Sequence, residues 1–163
     1  KIPVELAEKL KRSYGYALSS DVSSDDEINL SDVAPSYDND GNVSKRFLAE
    51  IIEARLEEIF NLVDNELKSL GPDIQLPAGV VISGGGVKIP GIEDLAKEKF
   101  DLPAKVGYPN TDPVSVVNPT NKELLEDPEF ATALGLVFWG DEKLSVSTSG
   151  IRAVGEFFEN LLP

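Results

Sequence analysis

Apolar positions in this chain recur with helical spacing in some stretches and cluster in short β-branched runs in others. Leu6, Leu10 and Tyr14 return every fourth residue, Pro3 suits a first turn and Gly15 a stop, which predicts a helix over residues 2–14. An acidic, polar run from Ser19 to Glu27 follows. Within residues 19–43, Ile28-Asn29-Leu30 alternates like a short strand and Asn39-Asp40-Gly41 is turn chemistry, so a hairpin or loose loop is expected. Ser44 can cap a long helix to about Leu70, whose apolar stripe is Leu48, Ile52, Leu56, Ile59, Val63, Leu67 and Leu70, ended by Gly71-Pro72.

The pattern then changes period. Gly79-Val80-Val81-Ile82-Ser83 reads as a buried strand, Gly84-Gly85-Gly86 as a turn, and Ile92 to about Phe100 as a helix after Pro90-Gly91. Ala104-Lys105-Val106-Gly107 reads as another strand, Pro109 to Pro119 as a loop, and Pro128 to Phe138 as a final core helix with Trp139 in the core beside its end. Strand, glycine turn, helix, strand, helix is an α/β layer. Asp141 to Gly150 reads as a polar linker. Beyond it Ile151, Val154, Phe157, Phe158, Leu161 and Leu162 fall on one side of a short amphipathic helix. Three regions are expected: a helical subdomain at 1–76 with the acidic loop 19–43, an α/β subdomain at 77–140, and a linker and tail at 141–163.

Composition narrows the chemistry. The 163 residues include neither Cys nor His, which excludes thiolate catalysis, serine triads and histidine metal motifs. A net charge of −14 would repel a phosphate backbone, so no nucleic-acid binding is expected. There is no Met, and the chain reads as a segment of a longer protein. Asp38-Asn39-Asp40-Gly41 hints at a calcium loop, but Ser36 and Phe47 would stand where carboxylates are required. Glu53, Glu57 and Glu58, sharing a helix with Arg55, read as a charged outer face.

The sharpest motif is Ser83-Gly84-Gly85-Gly86-Val87-Lys88-Ile89-Pro90-Gly91 after the predicted strand. Glycines there let the backbone turn tightly and approach a flat ligand, with the start of a helix behind them. It lacks the Gly-Lys-Ser/Thr ending of a phosphate-cradling loop and the glycine spacing of a dinucleotide fingerprint. On its glycine spacing alone it reads better as a ligand-free strand-to-helix turn.

Ala78 to Gly86, with Ile89-Pro90-Gly91-Ile92, closely resembles the adenosine motif of the actin, Hsp70 and sugar-kinase superfamily. Three further stretches, Ala7–Gly15, Glu50–Phe60 and Pro128–Leu136, resemble FtsA cell-division proteins in the same order. The resemblance covers about Pro3 to Gly140. It implies a partial actin-like (ribonuclease H-like) ATPase lobe with a small helical subdomain, the 2B and part of the 2A subdomain. It also implies ATP as ligand: adenine and ribose against Gly84, Gly85, Gly86 and Lys88, with Glu8 accepting from ribose hydroxyls and Lys11 along the base or sugar edge. Glu8 has an alternative as an ordinary helical ion pair with Lys11 and Arg12.

Phosphate-binding hairpins and magnesium ligands would lie in sequence before Lys1, so this segment alone is expected to bind ATP weakly or undetectably and not to hydrolyse it. The resemblance further implies an adaptor that self-associates into filaments and binds the C-terminal tail of FtsZ. It would work in the cytoplasm, peripheral to the inner face of the membrane at the division site. Residues 150–162 look like that family's membrane-surface helix, although Glu156 and Glu159 outnumber Arg152. A terminal helix docked on the domain itself is the alternative for the tail. For the chain as a whole the alternative is a fragment of another actin-superfamily ATPase: Hsp70-like, sugar kinase or pilus-assembly homologue.

Overall fold

The structure, a computed structural model, describes residues 2–35, 41–69, 71, 76–112, 114 and 124–144. The chain forms two compact units, Lys1–Val81 with Lys88–Lys105, and Ile82–Val87 with Val106–Pro163.

In the first unit, α1 spans Val4–Tyr14 and buries Leu6 and Leu10, one turn apart, as the sequence periodicity requires. Gly15 ends the helix in an extended rather than left-handed conformation. β1 (Glu27–Asn29) and β2 (Asn42–Ser44) pair antiparallel, with Ile28 opposite Val43. The expected hairpin-like pairing is therefore present, while Asn39 and Asp40 of its predicted turn lie outside the described residues. Leu30, expected in the strand, instead opens the short helix α2 (Leu30–Val33), whose first turn is capped by the Asn29 side chain accepting from the Ser31 N–H. Asn ahead of a polar pair favours that cap over continued extension. Leu6, Leu10, Ile28 and Leu30 make the core of this part, with Tyr14, Val33, Val43 and Leu48 packed around it. Burying a side chain such as Leu10 stabilises by about 1.5–3 kcal/mol.

α3 (Lys45–Ser69) starts where expected, its first turn capped by Ser44 Oγ accepting from the Phe47 N–H at 3.3 Å. Its buried face differs from the predicted stripe. Ala49, Ile52 and Phe60 are buried, whereas Ile59 is 54% and Val63 44% exposed. The cause lies in another element, α4 (Ile92–Phe100). Phe60 packs on Phe100 with ring centroids 5.2 Å apart, and Glu57 pairs with Lys99 at 2.7 Å. Those contacts fix the rotation of the second half of α3, which its own periodicity left a residue off. Glu53 and Glu57 also belong to this inner side, which corrects the outer-face reading. Only Glu58 of the three keeps it, exposed and paired with Arg55 at 2.6 Å.

α4 fills its own side with Ile92, Leu95 and Ala96. β3 (Val80–Ile82) and β4 (Ala104–Val106) flank it in sequence and pair with each other. Within the first unit the Val80 N–H donates to Pro103 O, and within the second the Gly107 N–H donates to Ile82 O. The partners advance together, so the strands run parallel, as a helical crossover requires. β3 is not the buried strand expected: Val81 is 59% exposed, because a pair of three-residue strands among the described residues covers one side of it.

In the second unit a 3-10 turn, Pro128–Phe130, leads into α5 (Ala131–Leu144). The final helix is thus longer than predicted and absorbs Asp141 to Leu144 of the expected linker. Leu134 is its buried residue, and Trp139, expected in the core, is 58% exposed. Few described residues of this unit are buried around it, chiefly Val87, Leu125 and Pro128, too few to enclose a helix on all sides. The rest of the predicted linker and the amphipathic tail at 150–162 lie outside the described residues.

Candidate functional site

The glycine corner begins where β3 ends. Gly84 has φ +101, a conformation that favours glycine, and its N–H donates to Pro128 O at 2.9 Å. Asp127 sets that acceptor in place by capping the 3-10 turn, its Oδ1 accepting from the Glu129 N–H, with Pro128 in the first position. Gly85 and Gly86 then enter a 3-10 turn, Gly85–Lys88, closed by the Val87 N–H on Gly84 O.

Gly85 and Gly86 have no positive φ. A Cβ on Gly86 would meet no atom within 4 Å, and one on Gly85 would meet only the Glu129 side chain at an ordinary 3.7 Å. Among the described residues nothing demands glycine at either position. A surface kept bare at two successive residues fits the face of a flat ligand, which a methyl group would hold off. Gly85, Gly86 and Lys88 are exposed. Within the first unit, the first turn of α4 carries Glu93 and Asp94, carboxylates that answer its helix dipole.

The first unit holds the other predicted residues. On α1, Lys11 Nζ lies 2.6 Å from Glu8 Oε2, and Arg12 Nε donates to Glu8 Oε1 at 3.0 Å. The ion pair expected from the spacing is formed. Lys11, and next Arg12, hold the Glu8 carboxyl below the usual carboxylate range. An ionised carboxylate offers about four acceptor sites, so the bonds to Lys11 and Arg12 leave it able to accept further donors.

Within the same unit, the chain leaving α1 runs to the far end of the motif. The Ala17 N–H donates to Pro90 O at 2.9 Å, and the Tyr16 ring lies against Gly91, which has φ +82. Pro90 and Gly91 stand two and three residues past Lys88. The end of α1 and the turn that opens α4 are therefore neighbours. Gly84, Gly85 and Gly86 are described within the second unit.

Sequence reasoning gave no role to Tyr16, Asp127 or Glu129, and placed Glu53 only on a charged outer face. Asp127-Pro128 carried a local signal, a cap followed by a first-turn proline. Tyr16 and Glu53 carried none, since both act across long sequence separations.

Fold and corner together define a mixed helix-and-sheet protein with a glycine turn between a parallel strand and a helix. Comparison with known proteins is more specific. Residues 1–135 match the family model for cell division protein FtsA. FtsA of Pseudomonas aeruginosa is 32% identical over 154 residues, covering 92% of this chain and 35% of the relative. FtsA of Borreliella burgdorferi is 34% identical over 147 residues, covering 88% and 33%, and that of Escherichia coli K12 is 30% identical over 147, covering 86% and 33%. The chain belongs to the FtsA family of cell division proteins. It spans about a third of the length of these curated relatives.

Proposed function

We propose that this chain is the nucleoside-facing part of an ATP-binding, actin-fold adaptor that polymerises and links an FtsZ ring to the membrane. The family match over residues 1–135 carries this reading and selects it over the Hsp70-like, sugar-kinase and pilus-assembly alternatives. The bare faces of Gly85 and Gly86 support the ligand assignment. Gly84, Gly85, Gly86 and Lys88 would face adenine and ribose, Glu8 would accept from ribose hydroxyls, and Lys11 would lie along the base or sugar edge. When bound, ATP with its magnesium ion would supply the phosphate charge, held by residues other than these. These residues bind and orient the nucleoside end.

The adaptor role is tested by pull-down with a peptide of the FtsZ C-terminal tail, where capture by this chain is expected. Failure with a folded chain overturns it. Residues 150–162 would rest on the inner membrane surface, and liposome flotation with and without 150–163 should show binding only with the tail. No ATP hydrolysis is expected from the 163 residues alone. Measured turnover would refute that division of labour.

A further inference from the structure

Residues 15–22 cross the first unit as a strap with an anchor near each end. At one end is the Ala17 N–H to Pro90 O bond, beside the Tyr16 ring on Gly91. At the other, the Ser19 N–H donates to Glu53 Oε2 at 2.9 Å, a partly buried bond spanning 34 positions of sequence. Between and beyond them, Ala17 is fully buried and Val22 nearly so. Ser19 opens a 3-10 turn (Ser19–Asp21) whose N-terminal cap residue, Leu18, makes no side-chain cap bond. The first amide of such a turn has no partner within it. Glu53 supplies one, and a carboxylate accepting from an amide makes a stronger bond than a neutral acceptor does. Glu53 projects from α3, the longest element of the unit, four residues from Glu57, which ties the same helix to Lys99 of α4.

We propose that Glu53 is a positioning residue. Through Ser19 it holds the strap, and the strap holds the end of α1 against the Pro90–Gly91 turn. The register between Glu8 and Lys11 on one side and Lys88 on the other depends on that grip. This rests on the nucleotide reading above and adds to it a residue that touches no ligand.

ATP affinity is measured calorimetrically on the full native chain that carries these residues. Glu53→Ala should weaken ATP binding about fivefold, the loss expected of one partly buried hydrogen bond. Glu53→Gln keeps an oxygen that accepts from Ser19 and should stay within about twofold. Glu57→Ala, which loosens α3 from α4 without touching the strap, should also stay near wild type. Equal losses for Glu53→Ala and Glu57→Ala, or no loss for Glu53→Ala, would overturn the proposal.

Amide exchange in the same proteins gives a ligand-free reading. Glu53→Ala should speed exchange at both Ser19 and Ala17, and Glu53→Gln should restore both. Unchanged exchange at Ala17 would show that Glu53 does not control the strap. If instead Glu8→Gln and Lys11→Ala leave ATP affinity untouched, the nucleotide reading of α1 fails. The exchange result then decides on the strap by itself.

Discussion

Two sets of glycines in this chain stand in opposite surroundings. Gly15 and Gly91, in the first unit, are hemmed in by their own protein: a Cβ at Gly15 would stand 2.3 Å from Lys11 O and 2.9 Å from Ile52 Cδ1, and one at Gly91 would stand 3.2 Å from the Tyr16 ring. Gly85 and Gly86, in the second unit, have no such neighbour. A glycine required by packing reports on stability. One that no described neighbour requires can be changed without cost to packing, and so tests for a ligand.

Of these four glycines, the largest effect is expected at Gly15. Alanine there must displace both the Lys11 carbonyl and the Ile52 methyl, and overpacking of this kind costs about 1–3 kcal/mol. Backbone cannot yield as a flexible side chain does, so Gly15→Ala should fall at the upper end. Equilibrium denaturation, read as a shift in midpoint at constant slope, measures it. A loss under about 0.5 kcal/mol, the scatter of surface substitutions, would remove Gly15 from the comparison.

Gly91→Ala should cost less. Its φ of +82 carries about 1–2 kcal/mol of strain for any residue with a Cβ. The Tyr16 ring can tilt by the few tenths of an ångström that the new methyl requires. Thermal unfolding of the single variant and of Gly91→Ala combined with Tyr16→Leu separates the two contributions. Relief by the second change assigns the cost to the ring.

Gly86→Ala breaks or sharpens the contrast most directly. With no positive φ and open space around the new methyl, folding stability should stay within about 0.5 kcal/mol or rise slightly, since alanine restricts the unfolded chain. ATP affinity of the full native chain should nonetheless fall, because the methyl stands where the nucleoside face would lie. A stable variant with unchanged affinity would leave the open glycines without a ligand.

Local chemistry made much of this legible in the sequence. The helix over Ile92–Phe100 matches its predicted span because Gly91 opens it and Ile92, Leu95 and Ala96 repeat at its own period. Asn29 diverted the chain at Leu30 from strand to helix through a two-residue cap. The inner face of α3 could not be read from α3 alone, since Phe100 and Lys99 decide it from 40 residues away. Trp139 misled for a related reason: an apolar helix predicts burial only if something covers it. At the site, the glycine corner and the Glu8–Lys11 spacing were visible, whereas the strap was not, because its anchors pair residues 17 with 90 and 19 with 53.

The smallest effect is expected at Glu8, and it concerns pH. Lys11 and Arg12 lower the Glu8 carboxyl relative to the unfolded chain, so folding gains from the ionised form. That gain is complete above the ordinary glutamate value of about 4.3 and disappears as pH falls through the lower folded value. Lys99 behaves in mirror image: Glu57 raises it, so its contribution is complete below the ordinary lysine value of about 10.4 and is lost as pH climbs beyond. Glu8→Gln should therefore destabilise slightly at neutral pH and low salt, and match wild type in strong acid. Because the α1 pair is open to solvent, added salt should erase the difference as well. A Glu8→Gln deficit that persists in acid would mean that the side chain stabilises α1 by contacts other than charge.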